Sequence, residues 1–158
     1  PSLALEMPDI KIIETGNGTI MISLPESILF ASGEARIRPE ALPFLKSLAQ
    51  ILIEMDRHVR ILGHTDNVPI RTAQFPSNWE LSAVRAVMVV RIFSELYEVP
   101  ISHLSATGSA DSKPIATNDT PEGRTKTRRV EIIILEKSLS EETLDSMLPG
   151  NTPPAQPL

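Results

Sequence analysis

The sequence predicts an α/β fold, an α+β sandwich with elements in the order β-β-α-β-α-β-β and helices packed on one face of a mixed sheet. Three observations predict it. A β-branched hairpin pattern lies near the N-terminus, two amphipathic helical stretches alternate with short strand-like runs, and the run Val130-Glu131-Ile132-Ile133-Ile134-Leu135 closes the pattern.

Residues 1–9 carry two prolines and no periodicity, as expected of a linker end. Ile10-Lys11-Ile12-Ile13-Glu14 and Thr19-Ile20-Met21-Ile22-Ser23-Leu24 flank Gly16-Asn17-Gly18, residues that accept the positive φ of a tight turn. After Pro39-Glu40, Leu42, Leu45, Leu48, Ala49, Leu52 and Ile53 recur at helical spacing. Pro39 suits a first turn, and Pro43 implies either a kink or a helix start near Leu42.

Val59 to Gly63 reads as a strand ending at His64-Thr65-Asp66. A loop with Pro69 and Pro76 leads to Ser77-Asn78-Trp79-Glu80, a capping box. Ser77 is expected to accept from the N–H three residues on, with Glu80 reaching back. The helix is expected to run to Tyr97 with Leu81, Val84, Met88, Ile92 and Leu96 along one stripe. His103 to Gly108 reads as a strand, Pro114 to Gly123 as a polar loop, and Ser138 to Leu148 as a short final helix. Pro149, Pro153, Pro154 and Pro157 leave the end of the chain without a packed element. The expected organisation is a linker end at 1–9, one domain at 10–137, and a short helix with a disordered Pro-rich tail at 138–158.

The chain has 158 residues, with 15 Lys+Arg against 20 Asp+Glu and a formal charge of −5. That length suits one domain, and the acidic balance argues against a nucleic-acid partner. The absence of cysteine excludes disulfides, thiolate metal sites and cysteine nucleophiles. Apolar runs such as Val87-Met88-Val89-Val90 fall far short of the ~20 residues that span a bilayer. The chain starts at Pro1 with neither an initiator Met nor a signal peptide, the pattern expected of a piece of a longer protein.

Enzyme signatures are sparse. Gly16-Asn17-Gly18 begins like a dinucleotide fingerprint but lacks its third glycine, and no Walker loop or G-x-S-x-G elbow is present. His64 and Asp66 lie two apart, so on an extended segment they project the same way, as two ligands of a metal-dependent hydrolase would. No third ligand is evident, and a strand-end histidine with a local hydrogen bond accounts for the pattern. Lys113, Arg124, Lys126, Arg128 and Arg129 form a basic cluster without interleaved aromatics, as a solvated loop would.

Arg85 shares the helix stripe expected to face the sheet. A buried guanidinium needs a carboxylate or a ligand to offset its desolvation, and Asp66 is the natural candidate. Two readings are open: a plain Asp66–Arg85 ion pair, or a split pair lining a cleft. The second suits a zwitterion, with an ammonium at Asp66 and a carboxylate held bidentately by Arg85.

Asn78-x-x-Leu81-Ser82-x-x-Arg85-Ala86-x-x-Val89, Gly63-His64-Thr65-Asp66 and Arg128-Arg129-Val130-Glu131 together resemble the signature of OmpA-like peptidoglycan-binding domains, over residues 10 to 136. Leu29-Phe30-Ala31-Ser32-Gly33-Glu34-Ala35, Thr65-Asp66-Asn67-Val68-Pro69-Ile70, Phe75 to Ser82 and Asn118 to Arg124 are most similar to the periplasmic domains of its MotB-type flagellar stator branch. The long Asn67 to Ser77 loop points the same way, and Thr127 stands where the family usually has Asn.

The resemblance implies binding without catalysis, with no cofactor or metal. The residues matching Asp66 and Arg85 grip the diaminopimelate of the peptidoglycan stem peptide, and Thr65 and Asn78 match positions near that site. Whether Arg128 or Arg129 faces the cleft depends on strand phase. The resemblance further implies a periplasmic location, an inner-membrane anchoring helix elsewhere in the parent protein, a MotA-type partner subunit and a homodimer. A wall anchor of another envelope protein of the family (porin, lipoprotein or secretion system) is the nearest alternative.

Overall fold

Among the described residues, five strands form one mixed sheet in the order β1-β2-β5-β3-β4. The strands are β1 (Lys11–Glu14), β2 (Ile20–Pro25), β3 (Val59–His64), β4 (Leu104–Gly108) and β5 (Arg129–Ile134). This computed structural model describes residues 10–136; the expected linker end, final helix and Pro-rich tail lie outside the described residues. The helices are α1 (Glu26–Leu29), α2 (Leu42–Met55), α3 (Asn78–Arg91) and α4 (Pro121–Thr127).

The β1–β2 hairpin forms where the Gly-Asn-Gly turn predicts it. Gly18 takes φ +87°, a conformation a side chain would strain, and the Thr15 N–H donates to the Thr19 carbonyl at 2.9 Å. Strand β5 then inserts antiparallel between β2 and β3, pairing Ile132 with both Ile22 and Ile61, while β4 runs parallel to β3.

Side-chain alternation divides the sheet into two faces. Ile22, Leu24, Val59, Ile61, Val130, Ile132 and Ile134 pack with Phe44, Leu45, Leu48, Leu52, Ala86, Val89 and Phe93 of the helical layer to make the main core. The other face presents Leu62, His64, Arg129 and Glu131.

Pro43 does not kink α2. A 3-10 turn at Pro39–Ala41 precedes the helix, which starts at Leu42 with Pro43 in its first turn, where a missing N–H costs little. Phe44 joins its buried face, and Ile53 turns outward. Asp56 ends the helix in the left-handed region at φ 52°.

The expected stripe of α3 is rotated. Leu81, Ser82, Arg85, Ala86 and Val89 are buried, followed by Phe93, whereas Val84 and Leu96 are 37% and 55% exposed. The reason is close approach rather than bulk. A Cβ on Gly63 would lie 2.2 Å from the Ser82 carbonyl oxygen, and one on Gly108 would lie 2.6 Å from the Ala83 amide nitrogen. The helix rests its Ser82–Ala83 edge on two strand glycines, and that edge sets which residues face inward.

The N-cap is Ser77, which accepts from the Trp79 N–H at 3.2 Å rather than from the expected third residue; its hydroxyl also meets Glu80. Glu80 reaches back to Ser77 as the capping box requires. The helix runs on through a π turn at Ile92–Leu96, close to its predicted end.

Two short helices escape sequence patterning. α1 has one turn, and α4 forms inside and beyond the expected polar loop because Thr120 caps it by accepting from the Gly123 N–H at 3.0 Å.

Gly63→Ala should lower the unfolding free energy by about 3 kcal/mol, the upper end of overpacking costs. Gly16→Ala, with nothing within 4 Å of the added carbon, should change it by less than about 0.5 kcal/mol. Urea denaturation of both variants checks the pair.

Candidate functional site

The C-terminal end of β3 carries the candidate site. On either side of His64 the backbone is held by two hydrogen bonds to the segment after β4: Ser109 N–H to the Gly63 carbonyl at 2.9 Å, and Thr65 N–H to the Ala110 carbonyl at 2.8 Å. Ser82 on α3 supports that segment by accepting from the Ala110 N–H at 3.0 Å. Thr65 is buried, and its hydroxyl donates to the Asp66 carbonyl at 3.0 Å. The Asn78 amide donates to the Val68 carbonyl at 3.0 Å. Both expected site residues therefore brace the turn that carries Asp66.

Asp66 is 5% exposed and uses both carboxylate oxygens. Oδ1 accepts from the Val68 N–H at 3.0 Å, and Oδ2 accepts from Arg128 Nη1 at 2.5 Å.

Arg85 projects from α3 and is 3% exposed. Its Nε donates to the Glu34 carbonyl at 2.8 Å and its Nη2 to the Ala31 carbonyl at 3.3 Å. The guanidinium carbon stands 4.9 Å from the centre of the Phe30 ring, a cation–π distance. The Phe30–Ala35 loop thus wraps the guanidinium.

The carboxylate facing Arg85 is Glu26, not Asp66. Arg85 Nη2 lies 2.7 Å from Glu26 Oε1, and Arg128 Nε lies 2.6 Å from Glu26 Oε2. This rules out the first of the two readings, a plain Asp66–Arg85 ion pair, because Glu26 occupies the guanidinium and Arg128 occupies Asp66. Arg128, at the C-terminus of α4, stands between the two carboxylates and pairs with both. The result is a chain of alternating charge, Asp66–Arg128–Glu26–Arg85, with two negative and two positive groups.

Asp66, Arg85, Glu26 and Arg128 line one cleft of about 290 Å³, with Thr65, Asn78, Pro69 and Ile70 also contributing to its walls. Burial works against the Arg128 charge. The hydrogen bond from Arg128 to Asp66 and the charges of Glu26 and Asp66 outweigh that effect, raising its pKa above the ordinary arginine value.

Strand phase settles which arginine faces the cleft. Arg129 is paired with His64 in the ladder, and its Nη1 donates to the Thr127 carbonyl at 2.9 Å and its Nη2 to the Lys113 carbonyl at 3.1 Å. It lines a separate cavity of about 380 Å³ with Lys11, Lys126 and Ile115. That larger cavity offers cations and hydroxyls but no carboxylate, so it lacks half of what a zwitterion needs.

His64 and Asp66 do not converge on a common centre. The buried His64 meets Glu131 on β5 through Nε2, while Asp66 turns into the cleft. Among the described residues, no three His, Cys, Asp or Glu side chains come together as a metal site would require.

Two residues of the cleft are absent from sequence reasoning or left undecided by it. Glu26 carries no local motif. Its signal is the β2–β5 pairing, which brings Pro25 opposite Arg129 and lets the Glu26 N–H donate to the Arg128 carbonyl at 3.1 Å. Arg128 needs the same register to be distinguished from Arg129.

The model of the OmpA family matches residues 29–128, a span that takes in Asp66, Arg85 and Arg128 and begins after Glu26. Motility protein B of Bacillus subtilis (strain 168) is 42% identical over 123 residues, 77% of this chain and 47% of that protein. The chain spans about half the length of the curated relatives it matches, 47% and 48% in two of them.

Among solved structures, the cell wall anchor of the T6SS from Pseudomonas aeruginosa is similar with a TM-score of 0.78 and 32% identity, covering 87% of this chain and 99% of that one. The periplasmic domain of Helicobacter pylori MotB is similar with a TM-score of 0.77 and 25% identity, covering 98% and 96%. Among the described residues, no helix is long and apolar enough to cross a membrane.

The pKa of Glu131 is held below its ordinary 4.5 by the hydrogen bond from His64; burial opposes this, and the charges of Arg129 and His64 add to it. A depressed carboxylate stabilises the fold above its unfolded pKa and loses that contribution as the pH falls through its folded one. Glu131→Gln should therefore be less stable than wild type at neutral pH by about 1–2 kcal/mol, the worth of a charge-assisted hydrogen bond. The gap should close as the pH falls below 4.5, as read from denaturation curves at several pH values.

Proposed function

This chain belongs to the OmpA family, and we propose that it binds peptidoglycan without catalysing a reaction, holding the diaminopimelate of the stem peptide and so anchoring a MotB-type flagellar stator to the cell wall. The observation that carries this reading is the split pair. Asp66 and Arg85 line one cleft, and each engages a different countercharge. A free amino-acid headgroup presents an ammonium and a carboxylate on one carbon. In this reading Asp66 takes the ammonium, Arg85 takes the carboxylate, and Thr65 and Asn78 position the Asp66 turn.

Similarity to Motility protein B at 42% identity supports the stator assignment. With it come a periplasmic location, a homodimer, a MotA-type partner and an inner-membrane helix in the parent protein. The likeness to a secretion-system wall anchor, at a TM-score of 0.78, favours a second reading in which the same cleft anchors a different envelope assembly. Both readings place the same ligand in the same cleft.

Co-sedimentation with insoluble diaminopimelate-type peptidoglycan tests the site. Wild type should pellet, and Asp66→Asn and Arg85→Lys should each weaken pelleting at least ~10-fold, the cost of about 1.4 kcal/mol of lost pairing. Conservative variants are used because truncating one partner of a buried pair costs about 3–5 kcal/mol of stability, and Arg85→Ala would leave Glu26 without its inner partner. Unchanged pelleting of both variants at matched melting temperature would rule out the site.

A further inference from the structure

We propose that Glu26 and Arg128 form a built-in counter-pair that makes ligand binding an exchange of partners and restricts the cleft to zwitterions. The inference rests on the reading that Asp66 and Arg85 hold a ligand headgroup, and it assigns a specificity-determining role to the other two members of the network.

The geometry points to it in two steps. Glu26 Oε1 stands 2.7 Å from Arg85 Nη2, where a ligand carboxylate would bind, and Arg128 Nη1 stands 2.5 Å from Asp66 Oδ2, where a ligand ammonium would bind. The protein thus supplies its own carboxylate to Arg85 and its own cation to Asp66. These two surrogates are joined to each other by the 2.6 Å contact between Arg128 Nε and Glu26 Oε2.

A zwitterion can insert into this chain with no change in net charge. Its ammonium takes Asp66 and its carboxylate takes Arg85, while Glu26 and Arg128 keep one another. Two contacts open and two form. A ligand bearing only the carboxylate displaces Glu26 from Arg85 but brings an uncompensated negative charge into a site where Glu26 and Asp66 already lie. A ligand bearing only the ammonium brings the opposite imbalance beside Arg85 and Arg128. With Arg85 almost fully buried and Arg128 about a third exposed, such a charge is weakly screened and costly.

Glu26 sits on α1, a single helical turn between the end of β2 and the Phe30–Ala35 loop. That placement makes it the member of the network best able to swing aside without disturbing the sheet. Arg128 keeps a further side-chain partner through the exchange, since its Nη2 donates to the Thr125 hydroxyl at 3.0 Å.

Calorimetric titration with a soluble muropeptide containing diaminopimelate tests the proposal, beside the same muropeptide with the side-chain amine acetylated and with the neighbouring carboxylate amidated. Wild type should bind the native form at least tenfold more tightly than either modified form. Glu26→Gln leaves the site with one excess positive charge. It should lose the discrimination against the acetylated, carboxylate-only ligand by at least tenfold while keeping or increasing that against the amidated one.

A uniform loss of affinity for all three ligands in Glu26→Gln would overturn the counter-pair role, since a merely structural defect has no such sign. Equal wild-type affinity for the three forms would overturn it without recourse to a variant, even if Glu26→Gln fails to fold. No wild-type binding of the native muropeptide would instead remove the peptidoglycan reading itself, and this inference with it.

Discussion

Desolvation of the Arg85 guanidinium is the constraint around which the site is organised. A cation 3% exposed on the sheet-facing side of a helix is tolerable only if its donors are satisfied and its charge is countered. Two carbonyls of the Phe30–Ala35 loop, one aromatic face and the Glu26 carboxylate meet that requirement. Glu26 in turn brings Arg128, and Arg128 brings Asp66. Four segments far apart in the chain are thereby fixed to one another by alternating charge.

The scaffold makes this network possible by bringing α3 close to the sheet. Glycines at 63 and 108 leave no room for a Cβ against Ser82 and Ala83, so Arg85 on the same helix reaches Glu26 and the Phe30–Ala35 loop rather than solvent. A second, smaller cluster of Ala35, Phe75 and Leu81, with Ile70 and Met88 against it, holds the long loop after Asp66 on α3. The cleft is therefore walled by two loops that share one apolar cluster, with Ala35 from the first and Ile70 and Phe75 from the second.

How much of this is legible in the sequence depends on the range of the interaction. The hairpin around Gly18, the start of α3 at Ser77 and the end of β3 at His64 are local patterns, and the chain follows them. Arg85 as a buried cation is legible from helical spacing, because a charged residue four positions from Leu81 falls on the apolar side. The partner of Arg85 is not legible. Glu26 and Arg128 meet only because β5 inserts between β2 and β3, a pairing across more than a hundred residues that no local period encodes. The rotation of the α3 stripe is hidden for a similar reason, since bulk predicts Val84 inward while the glycine contacts place Ser82 there. The helix at Pro121–Thr127 is missed because its cap, Thr120, precedes a polar, glycine-containing segment with no apolar face.

In the proposed mode of binding, Arg85 and Arg128 of one charge network respond to the ligand, and Arg129 behind the sheet does not. Guanidinium Nε–H resonances of the three arginines, followed by NMR as diaminopimelate-containing muropeptide is added, test it most directly. Saturable shifts of Arg85 and Arg128 with the same apparent affinity, beside an unmoved Arg129, are the expected result. Movement of Arg129 with Arg85 and Arg128 unchanged would contradict it and transfer the ligand to the cation-lined cavity beside Lys126.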